Sequence, residues 1–243
     1  MQEKTKNIKQ KAIQYFCLIK NITKKQYQAS YSQCGEDLIC SYIFKQLNIK
    51  KPTYLDIGAF HPTNKSNTYL FYKNKSNGVC VEPDKSLADY FKKKRPRDLC
   101  LNVGVSPTGK FEEKNFYTMS AKALNTFSED EARKYEAFGT HRIEKINKVK
   151  IIPINDIIKS NFNECPNFIS IDVEGLDFDV LKNLDIQKYR PEIFCIETIN
   201  YSEDNTERKD ARISKYMVDN GYMIHSDTYI NTIYVEKNKW KKR

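Results

Sequence analysis

The chain has 243 residues, of which 40% are hydrophobic and 30% are charged. This length suits one α/β domain with a short appendage and leaves little room for two independent domains. The composition is that of a globular protein rather than a disordered one, and the sequence contains no apolar run long enough to span a bilayer.

The charge balance is strongly basic, with a formal net charge of +10 at pH 7. Lysine and arginine are concentrated in residues 92–95 and 237–243. Such a surface attracts nucleic acid, anionic lipid or a phosphorylated substrate. We expect mostly solvated helix faces and favour a phosphorylated small molecule over nucleic acid, because the sequence lacks the interleaved aromatic and basic residues of an RNA platform.

The cysteine pattern argues against a metal-binding or disulfide-rich protein. There are seven cysteines, an odd number, and no two of them form a CxxC pair. Zinc-site spacing is therefore absent, and cysteines within apolar runs behave as small core residues. We predict a reduced protein of the cytoplasm.

Two regions are predicted along the chain. Residues 1–50 are predicted to form a helical N-terminal extension, in which residues 12–19 read as a helix rather than a signal peptide and residues 35–47 carry a helical apolar stripe. Residues 51–243 are predicted to form one domain of alternating strands and helices, the pattern of a parallel sheet covered by helices. Within it, the polar residues 118–147 are predicted to be an inserted lid.

Turn and capping signals divide this domain into elements. Asn64 is expected to cap a short helix, and Asn155 or Asp156 a second, while Pro153 makes residues 148–154 an extended or edge segment. The main strands are predicted at residues 53–57, 78–82, 99–105, 168–173 and 192–197. Later helices are predicted at 177–184 and 207–220, and two final strands, 222–226 and 232–235, are predicted to give an antiparallel finish.

The first two strands end in residues suited to a nucleoside. Gly58 follows the first strand, where an open α/β sheet offers ligands the space beyond its carboxyl end. Glu82 closes the second strand, where an acid accepts hydrogen bonds from both ribose hydroxyls; the alternative is that it caps the helix after Pro83. The sequence lacks G-x-G-x-x-G spacing and a P-loop, so a nucleoside cofactor without a pyrophosphate is favoured.

Acids at two later strand ends are candidates for the chemistry. Asp172 and Glu174 lie on one side of the fourth strand end, and Glu197 ends the fifth. Asp172 is the first choice for a general base, with Glu174 and His61 as assistants; alternatively, Asp172 and Glu197 bind Mg²⁺. A purely structural interpretation of the acids around the fourth strand is a cluster at a helix N-terminus, stabilised by the helix dipole.

Six ordered motifs resemble those of the FkbM family of S-adenosylmethionine-dependent methyltransferases: YSQCGEDLI, YLDIGAFHPTNKSNTYLFY, GVCVEPD, LNVGVS, FISIDVEGLDFDVLKNLD and EIFCIE. They cover residues 31–197. The resemblance implies a Rossmann-like class I methyltransferase fold, with a mostly parallel seven-stranded sheet and an antiparallel C-terminal strand. It also implies O-methyl transfer, commonly to a sugar or another small hydroxyl compound.

The same resemblance implies a set of residues that contact S-adenosylmethionine. They are Gln33 and Glu36 near the site entrance, Asp56, Gly58 and Ala59 at the methionine and ribose part, Glu82 at the ribose, Asn102 and Val103 near the adenine, and also Asn67, Thr68 and Asp172. The departure from the family is His61-Pro62, where many relatives carry a different loop.

The sequence therefore predicts a cytoplasmic S-adenosylmethionine-dependent O-methyltransferase acting on a sugar or nucleotide-linked sugar, in surface-glycan or capsule biosynthesis. Its acceptor pocket is expected from residues 118–147 and the late loops. Alternatives are a methyltransferase of RNA or another small metabolite, a nicotinamide dehydrogenase, and a nucleoside-binding protein without catalysis. The sequence leaves a metal requirement and a homo-oligomer open.

Overall fold

The computed structural model describes residue 15, residues 28–200 and residues 208–243. Apart from Tyr15, the helix predicted at residues 12–19 lies outside these described residues. Residues 31–243 form one compact unit, and residues 1–30 form another. The first helix described in full, α1 (Glu36–Gln46), begins after Gly35 and lies in the same unit as the sheet.

The larger unit is built on a seven-stranded sheet. Its strands in chain order are β1 (Tyr54–Ile57), β2 (Gly78–Val81), β3 (Leu99–Leu101), β7 (Phe168–Ile171), β8 (Ile193–Glu197), β11 (Tyr222–Asp227) and β12 (Asn231–Glu236). The spatial order is β11-β12-β8-β7-β1-β2-β3. β12 pairs antiparallel with both neighbours, and the other paired strands are parallel. The predicted Rossmann-like methyltransferase sheet with an antiparallel C-terminal strand is confirmed.

Helices cover both faces of this sheet because its central strands are apolar on both sides. α1, α2 (Tyr69–Lys73) and α3 (Lys85–Lys94) contribute to one buried layer. The opposite layer includes α5 (Ile154–Asn161), α6 (Asp177–Lys182) and α7 (Ala211–Asp219), and α8 (Lys237–Lys241) follows the last strand. No helix among the described residues has the length and apolar character to cross a bilayer.

A second sheet, of three strands, is inserted after β3. It contains β4 (Gly104–Val105), β5 (Glu112–Met119) and β6 (Ile143–Ile152), in the order β4-β6-β5. Between β5 and β6 lie a 3-10 helix (Lys122–Leu124) and α4 (Glu129–Ala137). A two-stranded ladder joins β9 (Ile199–Asn200) to β10 (Arg208–Lys209).

Several predicted boundaries were wrong. The strand predicted at residues 99–105 is two short strands, β3 and β4, which belong to different sheets. The segment predicted as extended or edge is extended over residues 148–152, but it lies in β6, the middle strand of its sheet rather than an edge; Pro153 follows that strand as the N-cap of α5. Asn64 caps no helix, because α2 begins only at Tyr69. α7 starts at residue 211, capped by the side chain of Asp210.

Candidate functional site

The register of the parallel strands places the predicted site residues in one row. Ile57 pairs with Val81 on one side and with Ile171 on the other. Leu101 pairs with Val81, and Ile196 with Ile171. The residues that follow these positions therefore lie side by side at the carboxyl edge of the sheet, in the order Asn102, Glu82, Gly58, Asp172 and Glu197.

Gly58 is required at the centre of this row. Its backbone is left-handed, with φ +75°, and a Cβ placed on it would lie 1.7 Å from the carbonyl oxygen of Asp172. Only glycine allows the ends of β1 and β7 to approach this closely. The backbone N–H of Gly58 donates to the carbonyl of Val81 at 3.1 Å, which ties β1 to β2 at the same level.

Glu82 is fixed by backbone donors at the end of β2. Its carboxyl oxygens accept hydrogen bonds from the N–H of Phe60, at 2.9 Å, and of Asp84, at 2.7 Å. Burial raises the pKa of Glu82 to about 8, although these hydrogen bonds oppose the shift. Asn102 donates from its side-chain amide to the carbonyls of Glu82 and Pro83, so it supports the turn that carries this acid.

Asp172 and Glu197 form a carboxyl pair at the ends of β7 and β8. Burial, and then the charge of Glu174, raise the pKa of Asp172 to about 7, while a hydrogen bond from Glu197 opposes this shift. Burial and the charge of Asp172 raise the pKa of Glu197 further. The proton therefore resides on Glu197, which donates it to the Asp172 carboxylate. Such an arrangement provides an ionisable base poised near neutral pH.

The neighbouring acids differ in setting. Asp177 is buried and accepts hydrogen bonds from the backbone N–H groups of Val173, at 3.0 Å, and Gly175, at 3.1 Å, so it shapes the turn between β7 and α6. Glu174 lies in that turn with φ +51° and is exposed at the cavity wall.

A cavity of about 840 Å³ opens along this row of strand ends. This volume lies in the range of small-molecule sites. Its base includes Gly58, Glu82, Val103, Asp172 and Glu197, and Glu174 and Gln33 lie on its wall. The inserted sheet and the loops beside it supply much of the remaining wall, including Lys114, Phe116, Lys122, Leu124, Phe127, Glu131 and Tyr135.

The sequence model of the methyltransferase FkbM domain matches residues 56–224. The chain belongs to the FkbM methyltransferase family. This match spans the whole row of strand ends, from Gly58 to Glu197, and the resemblance inferred from the motifs is confirmed. The protein is therefore an S-adenosylmethionine-dependent methyltransferase by family.

Solved structures similar to this FkbM domain include a TehB-like SAM-dependent methyltransferase from Corynebacterium glutamicum, with 10% identity, a TM-score of 0.43, and coverage of 92% of this chain and 97% of that one. An O-methyltransferase from Bacillus cereus in complex with SAH has 12% identity, a TM-score of 0.43, and coverage of 89% and 86%. Magnesium protoporphyrin IX methyltransferase from Synechocystis with bound SAM has 10% identity, a TM-score of 0.37, and coverage of 82% and 76%. No curated protein matches the chain in sequence.

Several residues of the FkbM domain that the motifs assigned to the cofactor have their side chains engaged elsewhere. Glu36 is buried and accepts hydrogen bonds from Thr228, at 2.7 Å, and Asn231, at 3.1 Å, which join α1 to the β11–β12 hairpin. Asp56 is buried and accepts from Thr68.

The remaining predicted residues support the loop after β1. Ala59 is buried, and its N–H donates to Val81. Asn67 donates from its amide to the hydroxyl of Ser170 at 3.1 Å. His61 does not line the cavity; its Nδ1 accepts from the backbone N–H groups of residues 63 and 64, at 3.2 and 3.0 Å. Burial and the nearby Lys94 lower the pKa of His61, so the neutral form is favoured at pH 7.

The predicted lid of the FkbM domain is partly a β-hairpin, and it is fastened next to Glu82. Asp84, the N-cap of α3, accepts hydrogen bonds at one carboxyl oxygen from Lys122, at 3.2 Å, and from Asn125, at 3.0 Å. Its other oxygen accepts from the backbone N–H of Ser86 at 2.7 Å. Residues 122–125 are thereby held against the turn after β2.

Sequence reasoning missed three groups of cavity residues. The strand β5 carries Lys114 and Phe116, but its polar sequence gave no clear alternation. Tyr229 and Ile230 lie in the turn between β11 and β12. The sequence predicted that late loops line the acceptor pocket, but it did not identify these two residues. Lys65 could not be distinguished from the many other lysines of the chain by its sequence context. Among the described residues, no group of three or more His, Cys, Asp or Glu is arranged to hold a metal ion.

Proposed function

We propose that this protein is an O-methyltransferase that uses S-adenosylmethionine to methylate a hydroxyl of a sugar or nucleotide-linked sugar. The observation that carries the proposal is the Asp172–Glu197 pair at the cavity base, an ionisable carboxyl with a pKa near neutrality in a methyltransferase fold. An alkyl hydroxyl is a poor nucleophile until a positioned base takes its proton. A base of this kind is the requirement that distinguishes hydroxyl methylation from methylation of an already ionised or basic acceptor.

The cavity is suited to the cofactor in shape and charge. Gly58 leaves room at the backbone, and Glu82 presents a carboxyl at the position expected for ribose hydroxyls. Val103 and Leu87 provide apolar wall beside Glu82, as a base ring requires. When bound, S-adenosylmethionine supplies a methyl group on a positively charged sulfur, and the acids of β7 and β8 provide a negative environment for such a cation.

Asp172 is assigned as the general base. Its carboxylate accepts the acceptor's hydroxyl proton, while the neutral carboxyl of Glu197 holds it in position through a hydrogen bond. Methyl transfer requires little further acid–base chemistry from the protein, because alignment of donor and acceptor and exclusion of water supply most of the catalysis. The inserted sheet and residues 122–125 cover the cavity and serve that exclusion.

The acceptor is proposed from the lining of the inserted sheet. Phe116 and Tyr135 lie on the cavity wall, and Lys114 places a positive charge on the same wall, where its partner Glu112 lies 3.4 Å away in a partly exposed ion pair. Exposed pairs of this kind are weak, so Lys114 is available to a diphosphate. These features favour a nucleotide-linked sugar, as used in surface-glycan or capsule synthesis. Six free cysteines among the described residues favour the reducing cytoplasm as its location.

The proposal is tested by incubating the protein with S-adenosylmethionine labelled in its methyl group and a panel of nucleotide sugars, free sugars and RNA transcripts. We expect label in a nucleotide sugar. The matched control is Asp172→Asn, which keeps the shape of the side chain but removes the base. We expect its turnover to fall about 10²- to 10⁴-fold while S-adenosylhomocysteine still binds. Label in RNA alone, or unimpaired turnover of the variant, would refute the proposal.

A metal-dependent version of the same reaction makes a different prediction. If Asp172 and Glu197 bind Mg²⁺ instead, incubation with EDTA abolishes turnover and added Mg²⁺ restores it. If Asp172 acts as the base with Glu197 protonated, turnover of the wild-type protein is the same with and without EDTA. We propose the second outcome, because among the described residues no three His, Cys, Asp or Glu side chains are arranged to hold a metal ion.

A further inference from the structure

The loop after β1, residues 62–68, is fixed on both of its sides. The N–H of Ser66 donates to the carbonyl of Tyr31 at 2.8 Å, next to the segment that carries Gln33. The amide of Asn67 donates to Ser170, two residues before Asp172. The loop therefore lies between the Gln33 segment and the end of β7, at the cavity wall.

The same loop is held from below by Arg95, which is fully buried. The guanidinium donates to the carbonyl of Pro62 at 3.4 Å, to the hydroxyl of Ser66 at 3.3 Å and to the hydroxyl of Thr68 at 3.0 Å. Residues on both sides of Lys65 in the chain are thus hydrogen-bonded to one buried guanidinium.

Lys65 lines the cavity from this loop, and its charge is uncompensated in the described part of the chain. Its backbone is left-handed, with φ +52°, which is uncommon for a residue with a side chain. The other two lysines of the cavity wall have carboxylate partners: Lys122 pairs with Asp84 at 3.2 Å, and Lys114 with Glu112. Among the described residues, Lys65 has no hydrogen bond or ion pair.

The charges around Lys65 select the chemistry of its partner. The nearby strand ends carry acids, Asp172 and Glu197, with Glu174 on the wall. The negative charge carried by Asp172 and Glu174 favours the sulfonium and the ammonium of S-adenosylmethionine. The carboxylate of that molecule is bonded to the same carbon as its ammonium, so it must lie close to the same acids. It therefore needs a compensating cation there. Lys65 is the cavity-wall lysine on the loop after β1, whereas Lys114 lies on the inserted sheet and Lys122 pairs with Asp84.

We propose that Lys65 binds the carboxylate of the methionine moiety of S-adenosylmethionine. This inference rests on the proposed function and deepens it, since it assigns one end of the cofactor to the loop after β1. Glu82 then marks the ribose end and Lys65 the amino-acid end, with Gly58 and Asp172 between them.

The test compares two ligands by isothermal titration calorimetry, which requires no acceptor and no turnover. S-Adenosylhomocysteine carries the amino-acid moiety, whereas 5′-methylthioadenosine has the same nucleoside and sulfur but lacks it. For Lys65→Met, we expect the affinity for S-adenosylhomocysteine to fall about ten- to a hundredfold. The affinity for 5′-methylthioadenosine should not change. Lys65→Arg, which keeps the charge, should retain most of the affinity for S-adenosylhomocysteine.

Two matched controls separate the contact from general effects. Lys75→Met also removes an exposed lysine from a left-handed position, with φ +73°, but outside the cavity. Lys114→Met removes a positive charge from the inserted sheet at the cavity wall. We expect both variants to bind both ligands as the wild-type protein does.

The possible failures are distinguishable. Unchanged affinity of Lys65→Met for S-adenosylhomocysteine would overturn the assignment and leave the proposed function intact; a raised KM for an acidic acceptor in the same variant would move Lys65 to the acceptor side. An equal loss for both ligands would also overturn it, since the lysine would then act on the nucleoside or the fold. A wild-type protein that binds neither ligand would refute the proposed function itself.

Discussion

Two clusters of ionisable groups, one buried and one half-buried, lie at neighbouring strands of the same sheet, and they are built on opposite principles. Below the loop after β1, the Arg95 guanidinium pairs with Asp98 at 2.6 Å, and Asp56 accepts a hydrogen bond from Thr68, a residue that Arg95 also contacts. At the end of β7, Asp172 lies among other acids and shares a proton with Glu197.

The difference shows how ionisable groups that stabilise the fold are distinguished from those suited to catalysis. In the Arg95 cluster a buried charge is compensated by a counter-charge and by hydrogen bonds, which is the condition for stability. In the Asp172 cluster the ionisable groups are all acids without a counter-charge in the described part of the chain, so burial and their mutual repulsion raise their pKa values and leave the site reactive. Asp56 and Asp172 both come from apolar strands with one acid, yet only Asp172 lines the cavity.

The largest expected effect concerns the compensated cluster. Arg95→Met removes the cation and leaves Asp98 buried without its ion-pair partner, so we expect the free energy of unfolding to fall by about 3–5 kcal/mol. Urea denaturation measures this loss. The control is Arg97→Met, because Arg97 is exposed and stacks on the ring of Tyr72 at 3.9 Å; we expect it to cost at most about 1 kcal/mol. Equal losses of unfolding free energy in the two variants would mean that the buried charge of Arg95 does not stabilise the fold more than an exposed arginine does.

A smaller effect is expected at Gly58, where β1 and β7 meet between the two clusters. Gly58→Ala places a methyl group against the carbonyl of Asp172, so we expect a loss of stability and weaker binding of S-adenosylhomocysteine. Gly139→Ala is the matched control, since Gly139 has nearly the same φ, +74°, but no atom within 4 Å of a new Cβ. The control should lose only the cost of a left-handed alanine, about 1–2 kcal/mol.

If Gly58→Ala were no more destabilising than Gly139→Ala, the two strand ends would be further apart than the structure shows. Both variants are compared by urea denaturation and by titration with S-adenosylhomocysteine. Loss of ligand binding in Gly139→Ala would contradict the assignment of the site to the strand ends.

The sequence predicted the strand-end row well because it depends on local rules. An apolar strand followed by a glycine or an acid identifies each position, and parallel pairing then aligns Glu82, Gly58 and Asp172 without further information. The structural role of Glu36 depends instead on hydrogen bonds from residues 228 and 231, about 190 positions away in the chain. No local sequence pattern reveals such contacts.

The inserted sheet illustrates the same limit. β5 and β6 are eight and ten residues long, but their sequences, EEKNFYTM and IEKINKVKII, are largely polar because much of this sheet is exposed. Period-two alternation is a reliable signal only where one face of a strand is consistently buried. The lid was therefore predicted as an insertion without its strands. The position of Lys65 at the cavity wall could be identified only from the structure of the loop and its neighbours.

The smallest expected effect tests how the acid pair works. At pH 7 the Glu197 carboxyl is protonated and neutral, so Glu197→Gln preserves both its charge and its ability to donate a hydrogen bond. We expect turnover of this variant to stay within about threefold of the wild-type value. Glu197→Ala removes the donor that stabilises the Asp172 carboxylate, and loss of that hydrogen bond raises the pKa of Asp172.

The sign of the pH dependence follows from the role of Asp172 as a base. Its ionised form is active, so turnover should rise with pH up to about 7, the pKa of this group, and then level off. In Glu197→Ala the rising limb should move to higher pH, whereas in Glu197→Gln it should remain near that of the wild type. A pH–rate profile of the three proteins measures the shift. If the limb moved equally in both variants, Glu197 would contribute its ionised charge rather than its proton, and the acid pair would resemble a metal site more than a hydrogen-bonded base.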